Sequence, residues 1–264
     1  MLDIEHPVDG QAAERRAGQL GARGAFVGGG TVLQLGWGGT TPDLTLIDVS
    51  RLAGSQGISL TGTCLRVGAA VRLEPLRRDP LVARHAPLLT AACEQIAALS
   101  VRHLATLGGN VGWGHGDTLA VLLAMQAEAE LADGRCVPLD ALLAAQPGAL
   151  PLVAGLRMDV GHTSTIACYE KVGRRAAFSP TRLALALCAD AAPDGALHAL
   201  RVAASGAGLR ARRMLQAEKL LASGGARAID RSALRSACAR DLDGDAALAR
   251  IASALIAGWL EMRE

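Results

Sequence analysis

Two glycine-rich strings, Gly28-Gly29-Gly30-Thr31 and Thr106-Leu107-Gly108-Gly109-Asn110, each follow a stretch of chain that reads as extended or apolar. Glycine lets backbone N–H groups approach an anion with no side chain in the way, and it tolerates positive φ. Two such loops could grip one long, doubly charged ligand from both sides, and a dinucleotide pyrophosphate fits that description. Neither loop is a Rossmann fingerprint, because Leu33 stands where the first would need Gly or Ala. A closer formal match, Gly206-Ala207-Gly208-Leu209-Arg210-Ala211, is followed by helical sequence with no further parallel strands. It reads as a turn built of small residues.

Other chemistry-bearing residues are sparse. The chain has 264 residues, a net charge of +2 and six aromatic side chains, so Ala, Leu and Val must build its core. That charge gives no reason to invoke nucleic acid. Lysine occurs only at 171 and 219. The six cysteines (Cys64, Cys93, Cys136, Cys168, Cys188, Cys238) form no C-x-x-C pair, which excludes a local zinc or iron–sulfur binding run. They read as buried or half-buried free thiols of a reducing compartment. The N-terminus lacks a basic and apolar leader, and no apolar run is long enough for a membrane span. The expectation is a soluble cytoplasmic protein.

The elements that must position these residues follow from pattern. Residues 11–23 read as a helix, and 25–27 as a strand running into the first glycine loop. Residues 31–35 look like a helical first turn or a tight loop, and 45–49 like a strand. Residues 57–60 and 64–68 form a hairpin. Residues 72–99 read as helices divided by Pro80 and Pro87. Residues 117–125 read as an amphipathic helix with Asp117 or Thr118 near its N-cap. A hairpin of 128–131 with 136–138 turns at Asp133-Gly134. A short helix at 139–143 and strands at 150–160 and 164–172 follow. Beyond these, 179–191 read as a helix, 198–204 as a strand, and 210–223 and 231–262 as helical. Strands and helices mix without regular βαβ alternation, which predicts an α+β chain in three lobes, 1–55, 56–160 and 161–264.

Five strings in order carry a resemblance: residues 27–31, Leu46-Ile47-Asp48-Val49-Ser50, residues 102–110, Gly116-Asp117-Thr118, and Tyr169-Glu170-Lys171-Val172-Gly173-Arg174-Arg175. Together, over residues 1 to 222, the chain resembles the FAD-binding medium subunit of the molybdenum hydroxylases, of the carbon monoxide dehydrogenase, xanthine dehydrogenase and aldehyde oxidoreductase type. The resemblance implies an FAD-binding fold of the vanillyl-alcohol-oxidase (PCMH) type: two α+β lobes holding non-covalent FAD, and a C-terminal α+β lobe alongside. Val27, Gly28, Gly29, Gly30, Thr31, Val32 and Leu33, with Thr106, Gly108, Gly109 and Asn110, would supply backbone and side-chain donors to the pyrophosphate. Asp117 would accept from a ribose hydroxyl or brace its loop. Lys171 would stand near the flavin ring, and Val153, within Leu152-Val153-Ala154, would offer it apolar contact.

The same resemblance implies that no catalytic side chain and no metal ligand is needed, because the flavin does the redox work. Electrons would come from [2Fe-2S] centres of a small subunit in a heterotrimer with a molybdopterin-binding large subunit. They would leave to NAD, oxygen or another acceptor. Simpler roles stand beside each of these. Thr106 and Asn110 could satisfy turn backbone, Asp117 could only cap a helix, and Lys171 could be a solvated strand-end charge. Trp113 could stack on the cofactor or plug a lobe interface, and His103 could support its loop. The chain departs from the family pattern at Val32 (usually an acid), at Trp113-Gly114-His115 (usually Ser-Pro) and at Ser179-Pro180. Rival readings are a self-sufficient flavin oxidase of the same superfamily and an FAD-free scaffold subunit.

Overall fold

A computed structural model describes residues 2–33, 37, 39–145, 150–162, 164, 166–173, 180–192, 196–224 and 230–262. The chain divides into two compact units, residues 1–114 with 126–161, and residues 115–125 with 162–264. Residues 115–125, inside the lobe expected at 56–160, thus pack with the C-terminal part of the chain.

The first unit holds two sheets. One is three-stranded and wholly parallel, in the order β1 (Leu2–Glu5), β3 (Leu44–Asp48), β2 (Gly24–Val27). Helix α1 (Gly10–Leu20) covers it, with the Asp9 carboxylate capping its first turn and Ala13 packed among Ile47, Leu52 and Leu152. The sequence pattern had assigned no element to Leu2–Glu5. The other sheet is antiparallel, in the order β4 (Ile58–Thr61), β5 (Cys64–Gly68), β8 (Val153–Asp159), β6 (Glu128–Leu131), β7 (Cys136–Pro138). The β6–β7 hairpin turns at Asp133-Gly134 as expected, with Gly134 at φ +87. Short helices α2 (Leu73–Arg78), α3 (Pro80–His85), α4 (Pro87–Glu94), α5 (Leu99–Arg102) and α6 (Leu107–Gly112) fill the chain between β5 and residue 114, and α8 (Leu139–Ala145) follows β7. Pro80 and Pro87 each start a helix, as proline at N1 does, rather than merely breaking one.

The second unit is built on an antiparallel sheet, β12 (Leu209–Arg213), β11 (Leu197–Gly206), β10 (Thr181–Ala191), β9 (Ile166–Gly173). Residues 181–191 are therefore a strand and not the expected helix. Leu and Ala favour helices one by one, but Leu183, Leu185 and Leu187 alternate with Ala184, Ala186 and Cys188, and period two prevails over propensity. The leucine face joins one core with Val202, Ala204 and the helices α9 (Leu215–Gly224), α10 (Arg231–Asp241) and α11 (Ala246–Glu261). The alternate face leaves Ala184, Ala186, Ala203 and Ser205, small enough for α7 (Thr118–Ala124) to pack on strands β10, β11 and β12. All seven residues of α7 are buried, so it is a core helix and not the amphipathic one expected. Residues 209–213 likewise form a strand, and the helix expected from 210 begins at Leu215.

Cys93, Cys188 and Cys238 are buried, and burial pushes the Cys188 thiol up to about 11 and that of Cys238 up to about 12. Cys136, expected to be at least half-buried, is exposed on the edge strand β7. No described helix is long and apolar enough to cross a membrane.

Candidate functional site

The first glycine turn leaves the carboxyl end of β2, the position at which ligands approach parallel sheets. Val27 is fixed there by its carbonyl, which accepts from Val49 N at 2.9 Å. Beside it, burial raises the pKa of Asp48, but the Ser50 hydroxyl and amide and the neighbouring His6 outweigh burial. The carboxyl is held below its ordinary value.

The two loops touch each other, and this explains two of the glycines. A Cβ on Gly28 would stand 2.7 Å from Thr106 Oγ1, and one on Gly29 would overlap the carbonyl oxygen of Leu104. Gly30 is glycine for a different reason, its φ of +67. In place of the expected grip from opposite sides, the two loops lie against one another within this unit.

Their amides differ. In the second loop Leu107 N donates to Val71 O at 2.9 Å and Gly108 N to Ala69 O at 2.7 Å. Gly109 N donates to Thr106 Oγ1 at 3.1 Å and Asn110 N to Thr106 O at 3.0 Å. The first two amides hold α6 against residues 69–71 and the last two close its own first turn, so Thr106 does satisfy turn backbone. In the first loop no amide from 28 to 33 donates to an acceptor among the described residues. A turn whose N–H groups meet no acceptor among the described residues, with Gly30 at positive φ, suits an anion. Thr31, Val32 and Leu33 are half-buried within it. The residues present therefore fit a pyrophosphate at the first turn, while the second loop supplies the wall behind it.

The remaining expected residues of this unit vary in access. Val153 and Leu152 are buried, Leu152 in the core under α1, and Ala154 is the more open neighbour. Trp113 stands 41% exposed. His103 is exposed and closes α5 through its backbone N–H to Leu99 O at 3.0 Å.

The second unit holds Asp117 and Lys171. Asp117 occupies the N-cap of α7, yet its side chain makes no capping bond. It accepts from Lys171 Nζ at 2.7 Å, with the two side chains 8% and 12% exposed. Lys171 is therefore a buried ion-pair partner and not a solvated strand-end charge. Sequence reasoning missed the strap around this pair. His115 Nδ1 lies 3.2 Å from both Gly206 O and Leu209 O. Facing two acceptors, it must be the protonated ring nitrogen. Ser205 Oγ donates to Gly116 O at 3.0 Å. Three consecutive residues are thus tied to strands β11, β12 and β9, and Lys171, Ala184 and Ser205 lie in one register row across the sheet. Only contacts between residues distant in sequence reveal this, although Ser205 sits one residue before the glycine turn already noted. Arg174, Arg175 and Ser179, which the sequence reading also used, lie outside the described residues.

The model of a family described as the FAD binding domain in molybdopterin dehydrogenase matches residues 11–151. A putative xanthine dehydrogenase FAD-binding subunit of Escherichia coli (strain K12) is 40% identical over 67 residues, 25% of this chain and 23% of that protein. The carbon monoxide dehydrogenase medium chain of Hydrogenophaga pseudoflava is 34% identical over 84 residues, 31% of this chain and 29% of that one. These alignments span less than a third of either relative. Among solved structures, carbon monoxide dehydrogenase from Hydrogenophaga pseudoflava superposes with a TM-score of 0.78 at 24% identity, over 99% of this chain and 95% of that one. Quinoline 2-oxidoreductase from Pseudomonas putida 86 gives 0.75 at 18%, over 99% and 98%. At these identities the structural likeness shows a shared fold.

Proposed function

This chain belongs to the family of FAD-binding domains in molybdopterin dehydrogenases, and from that premise we propose that it is the FAD-carrying electron-transfer subunit of a molybdenum hydroxylase. The observation that carries the reading is the turn at 28–33, whose amides face no described acceptor inside the matched region.

In this reading the turn donates its N–H groups to the FAD pyrophosphate, and Thr106, Gly108, Gly109 and Asn110 hold the turn's shape from behind. Glycine at 28 and 29 keeps the two loops in contact, and Gly30 aims the amides. Ala154, the open neighbour of the buried Val153, offers the flavin ring apolar surface. When bound, the flavin supplies the ability to take electrons singly and release them as a pair. The chain's own residues bind, orient and tune, and no side chain acts as acid, base or nucleophile.

The proposed partners are a molybdopterin-binding large subunit and a small subunit with [2Fe-2S] centres, working in the cytoplasm, with NAD or oxygen as acceptor. The visible spectrum of the purified protein before and after acid precipitation tests the reading. Flavin bands that pass into the supernatant support it. A colourless protein would favour the scaffold reading, and colour kept in the precipitate would favour a covalent flavin oxidase.

A further inference from the structure

A pyrophosphate at the first turn carries negative charge, yet the residues assigned to it above, 27–33 and 106–110, include no cation. Most arginines in the nearby helices are engaged. Arg102 Nε donates to Glu74 at 2.9 Å and its Nη1 to the carbonyls of Ile96 and Ala97, each at 3.0 Å. Arg77 and Arg78 also bind Glu74, which is 1% exposed.

Arg72 differs from all three. It is exposed, and among the described residues its side chain has no ion pair or hydrogen bond. Its backbone is nonetheless fixed against the second glycine loop. Leu73 N donates to Ala105 O and Leu107 N to Val71 O, both at 2.9 Å, so Arg72 and Thr106 form an antiparallel bridge. In that arrangement they are a directly opposed pair without hydrogen bonds between them. Their Cα atoms stand about 4.5 Å apart and their side chains leave on the same face. The Thr106 side chain is the one that meets Gly28 and caps Gly109. Arg72 therefore starts from the face on which the two loops join, carrying five donors on a long stem and a charge that no other described side chain neutralises.

We propose that Arg72 is the cation of the pyrophosphate site, reaching from its bridge with Thr106 to the phosphate oxygens held by the turn at 28–33. This rests on the reading that the turn holds FAD. It adds a charge to a site otherwise made of amides, and it concerns the phosphates, not the flavin ring. Guanidinium–phosphate pairs are charge-assisted and often bidentate, so lysine should replace Arg72 only in part.

The test is a titration of the full chain, stripped of flavin, with FAD and separately with riboflavin, which has the ring but no phosphate. Wild type, Arg72→Lys, Arg72→Ala and Arg72→Glu are compared by flavin fluorescence at low and high salt. The expected result is a loss of FAD affinity of about ten- to hundredfold in R72A. The loss should be greater in R72E and smaller in R72K, with riboflavin binding equal in wild type and R72A. The FAD dissociation constant of wild type should also rise more steeply with salt than that of R72A. The ligand-free melting temperature of R72A should match wild type, because the side chain makes no described contact. Unchanged FAD affinity and salt dependence in R72A would overturn the proposal while leaving the FAD reading intact. An equal loss for riboflavin would overturn it as well, showing a general disturbance. A wild type that binds no FAD would refute the parent reading, and this proposal with it.

Discussion

Lys171 and Asp117 form a largely buried charge pair in the second unit, and cutting it should be costly. At 2.7 Å, an effective dielectric constant of about 20 gives an attraction of about 6 kcal/mol. Desolvation of both ions offsets much of that, so the net contribution is far smaller. Removing one partner is a different case, because it leaves the other charge largely out of water without this ion pair, at a cost of about 3–5 kcal/mol. The residual 12% and 8% exposure puts Asp117→Asn near the lower end, about 3 kcal/mol. For a chain of this size that corresponds to a drop of roughly 6–12 °C in the melting temperature. Lys171→Met should cost a similar amount. The double variant buries no charge and should be no less stable than the worse single one, with a coupling of about 1–3 kcal/mol. Thermal melts of the four proteins by circular dichroism complete the cycle. Additive losses in the double variant would refute the reasoning, because they would mean that each side chain acts through other contacts.

Three further outcomes follow from the first unit. Hydrogen bonds from Arg77 and Arg102, opposed by burial and aided by Arg78, hold the Glu74 carboxyl far below its ordinary 4.5. A depressed folded-state pKa stabilises above the unfolded value and loses that contribution as pH falls below it. Denaturant midpoints should therefore fall with pH from about 4.5 downward, and Glu74→Gln should flatten that slope. Gly29→Ala sets a methyl into the Leu104 carbonyl. It should separate the loops, lower the melting temperature and abolish flavin retention on gel filtration, whereas Gly112→Ala, with open space around it, should do neither. Ala97 holds φ +43, and Ala97→Gly should stabilise by about 0.5–1 kcal/mol in a urea titration.

Local signals were legible in the sequence where one or two residues decide the backbone. Asp133-Gly134 fixed the β6–β7 turn, and Pro80 and Pro87 marked helix boundaries. The glycine strings marked the loops, although their reason for being glycine was half hidden. Gly28 and Gly29 answer to Thr106 and Leu104, residues far away in sequence, and only Gly30 answers to its own φ. Residues 181–191 were misread because Leu and Ala composition masked a two-residue period. Strand β1 escaped notice because it is short, exposed and lies at a sheet edge. Helix α7 is not the amphipathic helix expected at 117–125, because its sequence, Thr-Leu-Ala-Val-Leu-Leu-Ala, has no charged face to present to water. Asp117 looked like a cap because of its position. Its true partner is a strand residue, Lys171, and no spacing rule connects the two.

The measurement closest to the central claim is the FAD content of the full-length chain, purified without added cofactor, extracted with acid and quantified by chromatography against protein. The account predicts FAD itself, close to one per chain, and none in Gly29→Ala. A wild-type protein that carries no flavin and takes up none from an excess of FAD would contradict it.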